Sequence, residues 1–171
     1  MKPLIRPFSG KEPQIHEGAF LAENACIIGD VRIGEKASIW YNCVLRGDVN
    51  SIEIGPYSNI QDGTVIHVNQ SPSHPTIVEE RVTIGHSVTL HGCVIKKHAL
   101  IGIGASVLNG AIVEEEALVA AGSLVKEGQV IPRGHLVAGV PARVIRELTD
   151  VEKKMLRHQP DHYWDDIASL Y

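Results

Sequence analysis

Large aromatic side chains are scarce: Phe, Trp and Tyr make up 5% of the 171 residues, so a core built from rings is excluded. Cysteine is scarce as well. Cys26, Cys43 and Cys93 are odd in number and form no C-x-x-C pair, which argues against a disulfide framework or a four-cysteine zinc site. No apolar stretch approaches the roughly 20 residues that a membrane-spanning helix needs. There is no run of basic residues, and 16 Lys and Arg against 20 Asp and Glu give a net charge of −4, which opposes a nucleic-acid footprint. The opening stretch, MKPLIRPFSGKEPQ, places prolines and charges where a signal peptide has its apolar core. These absences lead us to expect a reduced, cytoplasmic chain of one main domain that binds neither nucleic acid nor membrane.

What is present is a six-residue period. Starting at Ile15 and stepping by six gives Ile15, Leu21, Ile27, Ile33, Ile39 and Leu45; after a three-residue slip come Ile54, Ile60 and Ile66. A longer gap leads to Val78, Ile84 and Leu90, and from Ile95 the period runs unbroken through Ile101, Val107, Val113, Val119, Val125, Ile131 and Val137. A second column, offset from the first by four positions, is mostly small: Ala25, Ala37, Cys43, Ser58, Thr64, Ala99, Ala105, Ala111, Ala117 and Ser123.

A period of six is neither the 3.6 of an α-helix nor simple strand alternation. A short strand plus a corner satisfies it, with the aliphatic turned inward and the small residue in the turn. Three such sides close a triangular coil, and neighbouring coils bury one another's apolar column. The spacing predicts a mainly β prism of about seven coils, roughly 30 Å long at ~4.8 Å per coil. Glycines 29, 34, 55, 85, 102, 104, 122 and 128 suit its corners. The chain resembles the hexapeptide-repeat proteins, and this resemblance implies a left-handed parallel β-helix.

We place the β-helix domain at 1–146, with a lead-in over 1–14, and a helical segment at 147–171 packed along the prism. Thr149 and Glu152 form a T-x-x-E capping box. Pro160 is expected to interrupt the helix, and a second stretch then places Tyr163, Ile167 and Leu170 on one stripe.

The chain holds nine histidines. His16, His74, His98, His135, His158 and His162 fall at scattered phases, where a solvated surface ring is the expected state. His67 and His91 each follow an inward aliphatic and so point outward. Four hexads separate them, where a full coil takes three, and they stack if the segment VNQSPSHPT loops out. His86 is out of phase and would reach the same point more easily from an adjacent subunit. Spacing alone leaves two readings open: a metal site shared between protomers, or three structural and surface histidines. Arg46 and Gln61 share the outward phase, and Asp48 and Asp62 are near enough in sequence to serve as acceptors for a ligating imidazole. Cys93, two positions after His91, is better read as a packed small residue than as a thiolate ligand.

Three motifs in order, LRGD at Leu45 to Asp48, NIQDGTVIH at Asn59 to His67 and IGHSVTLHG at Ile84 to Gly92, resemble the γ-class carbonic anhydrases. The resemblance implies a homotrimer with one divalent metal per subunit interface, held by His67 and His91 of one chain and His86 of the next. Zinc is the first choice, with Fe2+ or Co2+ as alternatives. It implies reversible hydration of CO2 to bicarbonate by a metal-bound hydroxide, Gln61 orienting water or bicarbonate, an intersubunit Arg46–Asp48 ion pair, and Asp62 supporting the network. The sequence departs from the archetype in lacking an acidic loop after His67, which carries the proton shuttle there. Tyr163 is the candidate to replace that shuttle, with core packing as its alternative role. Two other functions compete. One is an acyltransferase on the same prism, with His91 or His86 as general base. The other is a metal-binding trimeric scaffold with little or no catalysis.

Overall fold

Three ladders of short parallel strands wind around a column of aliphatic side chains and form the three faces of a prism. The computed structural model describes residues 2–70 and 74–170, and the side chains of residues 166 and 168–170 are not among those described. On the first face Leu4–Arg6, the start of Cys26–Ile33 and the start of Val44–Ile54 lie beside Val65–His67, Thr89–His91, Ser106–Val107 and Leu124–Val125. The two long strands bend onto the second face, where they join Gln14–Ile15, Thr76–Val78, Val94–Ile95, Ile112–Val113 and Val130–Ile131. The third face runs from Phe20–Leu21 through Ser38–Ile39, Asn59–Ile60, Thr83–Ile84, Leu100–Ile101 and Leu118–Val119 to His135–Ala138. Antiparallel Arg143–Glu147 closes this ladder. Among the described residues, seven parallel strands per face make a β-solenoid of about seven coils.

The six-residue period accounts for the core. All twenty aliphatics of the column fall on the three register lines, for example Ile27, Leu45, Ile66, Leu90, Val107 and Val125 on the first face. Eighteen are buried; Ile15 and Leu21, in the first coil, are only partly covered. Each buried Leu or Ile contributes roughly 1.5–3 kcal/mol, an upper figure because the unfolded chain already hides some of this surface. The column of small residues is buried at the corners as expected, Cys43 and Thr64 included. Cys93 is buried in the same core, and burial pushes its thiol up to about 12, so it is packed rather than poised as a thiolate.

The glycines expected at the corners are needed there: Gly29, Gly104, Gly122 and Gly128 have positive φ, and at Gly34, Gly55, Gly85 and Gly102 an added Cβ would lie closer than 3.0 Å to neighbouring backbone. Gly102 is needed because an added Cβ would lie 2.5 Å from the backbone nitrogen of Ala121 in the next coil. Many left-handed corner positions, however, are held by other residues, among them Lys36, Asn42, Tyr57, Arg81, Ser87, His98 and Glu116. Cooperative strand pairing on both sides outweighs the local backbone cost there.

The C-terminal segment is one helix, Asp150–Leu170, and Pro160 lies inside it instead of breaking it. Leu156, Pro160 and Ile167 are all buried, so packing against the third face overrides the lost backbone hydrogen bond. Trp40 meets Tyr163 edge-on at 6.3 Å between ring centroids, Arg81 pairs with Asp161 at 2.5 Å, and Arg157 pairs with Glu116. The expected stripe is observed at Tyr163 and Ile167; the Leu170 side chain lies outside the described residues. The capping box forms both ways: Thr149 N–H donates to Glu152 Oε2 at 2.8 Å, and Glu152 N–H donates to Thr149 Oγ1 at 3.3 Å. A hydrogen bond from Arg146, with those from Thr149, holds the Glu152 carboxyl down at about 2.

Candidate metal centre

The irregular spacings bring the outward polar residues into line. On the first face the inward positions run Leu45, Ile66, Leu90, Val107 and Val125. The steps to Ile66 and Leu90 are longer than three hexads and the step to Val107 is shorter, whereas the lower coils keep three hexads throughout. The longest step is taken up by the segment after His67, of which residues 71–73 lie outside those described. The register therefore pairs Arg46 with His67 and His67 with His91, at one position of three successive coils. Thr76 fixes the base of this stack: its hydroxyl donates to the His67 carbonyl at 2.6 Å and accepts from Gly92 N–H at 2.9 Å.

His67 Nδ1 and His91 Nε2 are 3.0 Å apart, while each ring's other nitrogen is engaged elsewhere. His67 Nε2 faces Asp48 Oδ1 at 2.8 Å, and Arg46 contacts the other Asp48 oxygen within the same chain. Burial raises the Asp48 pKa, but the hydrogen bonds from His67 and Arg46 outweigh it and leave the carboxyl below its usual value. An ionised carboxylate can only accept, so a proton sits on His67 Nε2, and in the neutral ring Nδ1 carries a lone pair. On the other side His91 Nδ1 faces Asn109 Oδ1 at 2.6 Å. An amide oxygen also only accepts, so His91 Nε2 carries a lone pair too. Two lone pairs directed at each other repel unless a proton or a cation lies between them or draws both. The donor chemistry thus fits a divalent metal, with the outer groups orienting the ligating rings.

His86, Gln61, Asp62 and Tyr163 gather elsewhere. His86 and Asp62 occupy the corners where the third face turns into the first, ahead of the strands that end in His91 and His67. His86 Nδ1 lies 2.8 Å from Asp62 Oδ2, which leaves its Nε2 outermost on a ring 47% exposed. Gln61 is buried, and its Nε2 donates to Asn59 Oδ1 at 3.1 Å, which fixes the amide. Beside them a cavity of about 270 Å³ opens under the C-terminal helix, lined by Gln61, Thr83, His86, Gln159 and Tyr163. Tyr163 therefore both packs against Trp40 and faces the same space as Gln61 and His86. Among the described residues no three His, Cys, Asp or Glu side chains of one chain converge to hold an ion.

Several residues escaped the sequence reading. Asn109 follows His91 by three hexads and Glu127 follows Asn109 by another three, so the period itself could have pointed to them as partners in successive coils. His74, expected at the surface, has its Nδ1 buried, because side-chain-free Gly92 and Gly110 leave a slot for its ring. His98 Nδ1 is buried as well, and this burial lowers its pKa.

Comparison with known proteins gives close relatives. No family model matches the chain. The chain is 53% identical over 147 residues to a carbonic anhydrase from Geobacillus kaustophilus, covering 86% of this chain and 80% of that protein. It is 46% identical over 157 residues to the mitochondrial gamma carbonic anhydrase 1 of Arabidopsis thaliana. That match covers 90% of this chain but spans only 57% of the longer plant protein. Among solved structures, a hexapeptide transferase family protein from Anaplasma phagocytophilum superposes with a TM-score of 0.94 at 42% identity, each chain covered in full at 100%. No helix among the described residues is long and apolar enough to cross a membrane.

Proposed function

The chain belongs to the γ-class carbonic anhydrase family, and from that premise we propose that it is a homotrimeric, metal-dependent catalyst of reversible CO2 hydration whose site is assembled between subunits. One observation carries this reading: each chain holds two half-sites at opposite edges of its first face. The first is the stack of Arg46, Asp48, His67 and His91; the second is the corner of Gln61, Asp62, His86 and Tyr163. Neither suffices alone, and cyclic symmetry sets the first edge of one copy against the second edge of the next.

In this arrangement His67, His91 and the neighbour's His86 would hold one divalent ion, zinc first and Fe2+ or Co2+ as alternatives. Such an ion supplies Lewis acidity and lowers the pKa of water toward about 7. The chain's own groups do the rest. Asp48 keeps the His67 proton on Nε2, Asp62 does the same for His86 Nδ1, and Arg46 neutralises Asp48 within the chain or across the interface. Gln61, its amide held by Asn59, orients water or bicarbonate at the cavity wall. Tyr163 is positioned to pass the released proton outward where the archetype uses an acidic loop.

Stopped-flow CO2 hydration on protein loaded separately with zinc, cobalt and anaerobic iron tests the proposal. A rate above buffer with at least one metal supports it, and loss of that rate in His86→Ala with the trimer intact supports the shared site. Buffer-level rates with all three metals leave the scaffold reading. The His86–Asp62 pair is also the arrangement of a general base, and so favours the acyltransferase as second reading. Acetyl-CoA turnover that survives chelation would select it.

A further inference from the structure

Asn109 lies one coil below His91, Glu127 one coil below Asn109, and neither belongs to the motifs that mark the site. Their bonds form a chain with a defined direction. Asn109 Nδ2 donates to Glu127 Oε1 at 3.1 Å while Asn109 Oδ1 lies 2.6 Å from His91 Nδ1. Rotating the amide by half a turn would set its oxygen against the Glu127 carboxylate, acceptor against acceptor, so Glu127 decides which end of Asn109 meets the imidazole. His91 must then carry its proton on Nδ1, and its Nε2 lone pair faces His67.

The backbone makes room for this contact. Gly92 sits at φ +57°, and a Cβ there would come within 2.6 Å of Asn109 Oδ1. Any other residue at 92 would push the amide away from the ring it orients. The mirror arrangement on His67 uses a carboxylate, Asp48, backed by Arg46. The two outer pairs work in opposite directions along the same line: each holds its histidine's proton on the far nitrogen and leaves the near one bare.

We propose that Asn109, oriented by Glu127 and admitted by Gly92, is a positioning residue that sets the tautomer of His91 and thereby aims its Nε2 at a divalent cation. This rests on the metal reading given above. Its role is to present an acceptor, so Asp at 109 serves as Asn does, while Ala does not. Removing an outer partner of this kind weakens metal binding by about 10- to 100-fold.

The test is zinc affinity by competition with a chromophoric chelator on the full-length wild type, Asn109→Ala, Asn109→Asp and Glu127→Ala. It is paired with two-bond 1H–15N correlations that report which His91 nitrogen carries the proton in zinc-loaded protein. Asn109→Ala should bind zinc about 10- to 100-fold more weakly and lose the unique Nδ1–H form, with Asn109→Asp close to wild type on both readouts. Glu127→Ala, at the exposed end of the chain of bonds, should fall between them. Wild-type affinity in Asn109→Ala, or an Asn109→Asp as weak as Asn109→Ala, overturns the proposal and leaves the metal reading standing. A wild type that takes up no zinc, cobalt or iron defeats the metal reading itself, and the proposal with it. Should Asn109→Ala not fold, Glu127→Ala decides: unchanged zinc affinity and an unchanged His91 tautomer refute the role.

Discussion

The upper and lower halves of the prism follow the same rule with different regularity. Below Ile95 the inward column steps by three hexads per coil on every face, as from Val107 to Val125, Val113 to Ile131 and Val119 to Val137. Between Leu45 and Val107 two steps are longer and one is shorter, and there the paired histidines, Arg46 and Asp48 collect. The inner column barely registers the difference, since Leu45, Ile66, Leu90 and Val107 are as buried as Val125. Insertions are absorbed at the corners and reset which outward residues share a line. The regular half supplies stability, and the irregular half uses the same scaffold to juxtapose polar groups.

The sharpest break of this contrast comes from the outward residues of the irregular half. His67→Ala and His91→Ala should each reduce metal content and CO2 hydration to background while changing the unfolding free energy of the metal-free protein by no more than about 1 kcal/mol. Urea unfolding beside metal analysis checks both at once. The converse belongs to the regular half. Ile101→Ala should cost about 2–5 kcal/mol of stability, yet retain metal binding at a temperature where the protein remains folded. At the corners, Gly102→Ala forces a Cβ to within 2.5 Å of Ala121 N, whereas Gly104 has open space and only its φ of +68° to satisfy. We expect about 1–3 kcal/mol for the first and about 1 kcal/mol for the second, read as a difference in melting temperature.

The smallest effect lies beyond the prism, at the helix start. Thr149→Ala should cost about 0.5–2 kcal/mol, measured by helix-weighted circular dichroism during unfolding. Glu152 is held at about 2 by Arg146 and Thr149, below the roughly 4.3 of an unfolded chain. Its folded-state pKa is depressed, so its contribution is complete above about pH 4.3 and is lost as pH falls through about 2. Glu152→Gln should weaken that acid dependence without abolishing it, because Asp48 and Glu116 are also held below their usual values and keep their own contributions; the slope of melting temperature against pH checks this.

Much of this was legible in the sequence because burial repeats. Each coil meets the same inner environment, so Ile27, Leu45 and Ile66 had to be chemically alike, and the small residues at 25, 43 and 64 had to fit the same corner. The stacking of His67 on His91 was legible from their shared outward phase and the surplus residues between them. Less of VNQSPSHPT leaves the coil than expected, however: Val68 is buried in the core and Thr76 begins a strand of the second face, while residues 71–73 lie outside those described. The burial of His74 Nδ1 was not legible, because it depends on the slots that Gly92 and Gly110 leave for the ring. Pro160 was misread because intrinsic helix preference carries no information about the surface that covers Leu156 and Ile167. Asn109 and Glu127 were missed because polar residues at outward positions look solvated until the coil below is placed under them.

The central claim is that the site belongs to two chains, and subunit complementation tests it most directly. His67→Ala and His86→Ala proteins should each bind no stoichiometric zinc. In trimers reassembled from an equal mixture, a His86→Ala chain supplies His67 and His91 while its His67→Ala neighbour supplies His86. About a quarter of the sites should then recover zinc, as random assortment in a cyclic trimer requires. Mixed trimers with no recovered zinc, while wild-type subunits carried through the same reassembly bind it fully, would contradict a site shared between protomers.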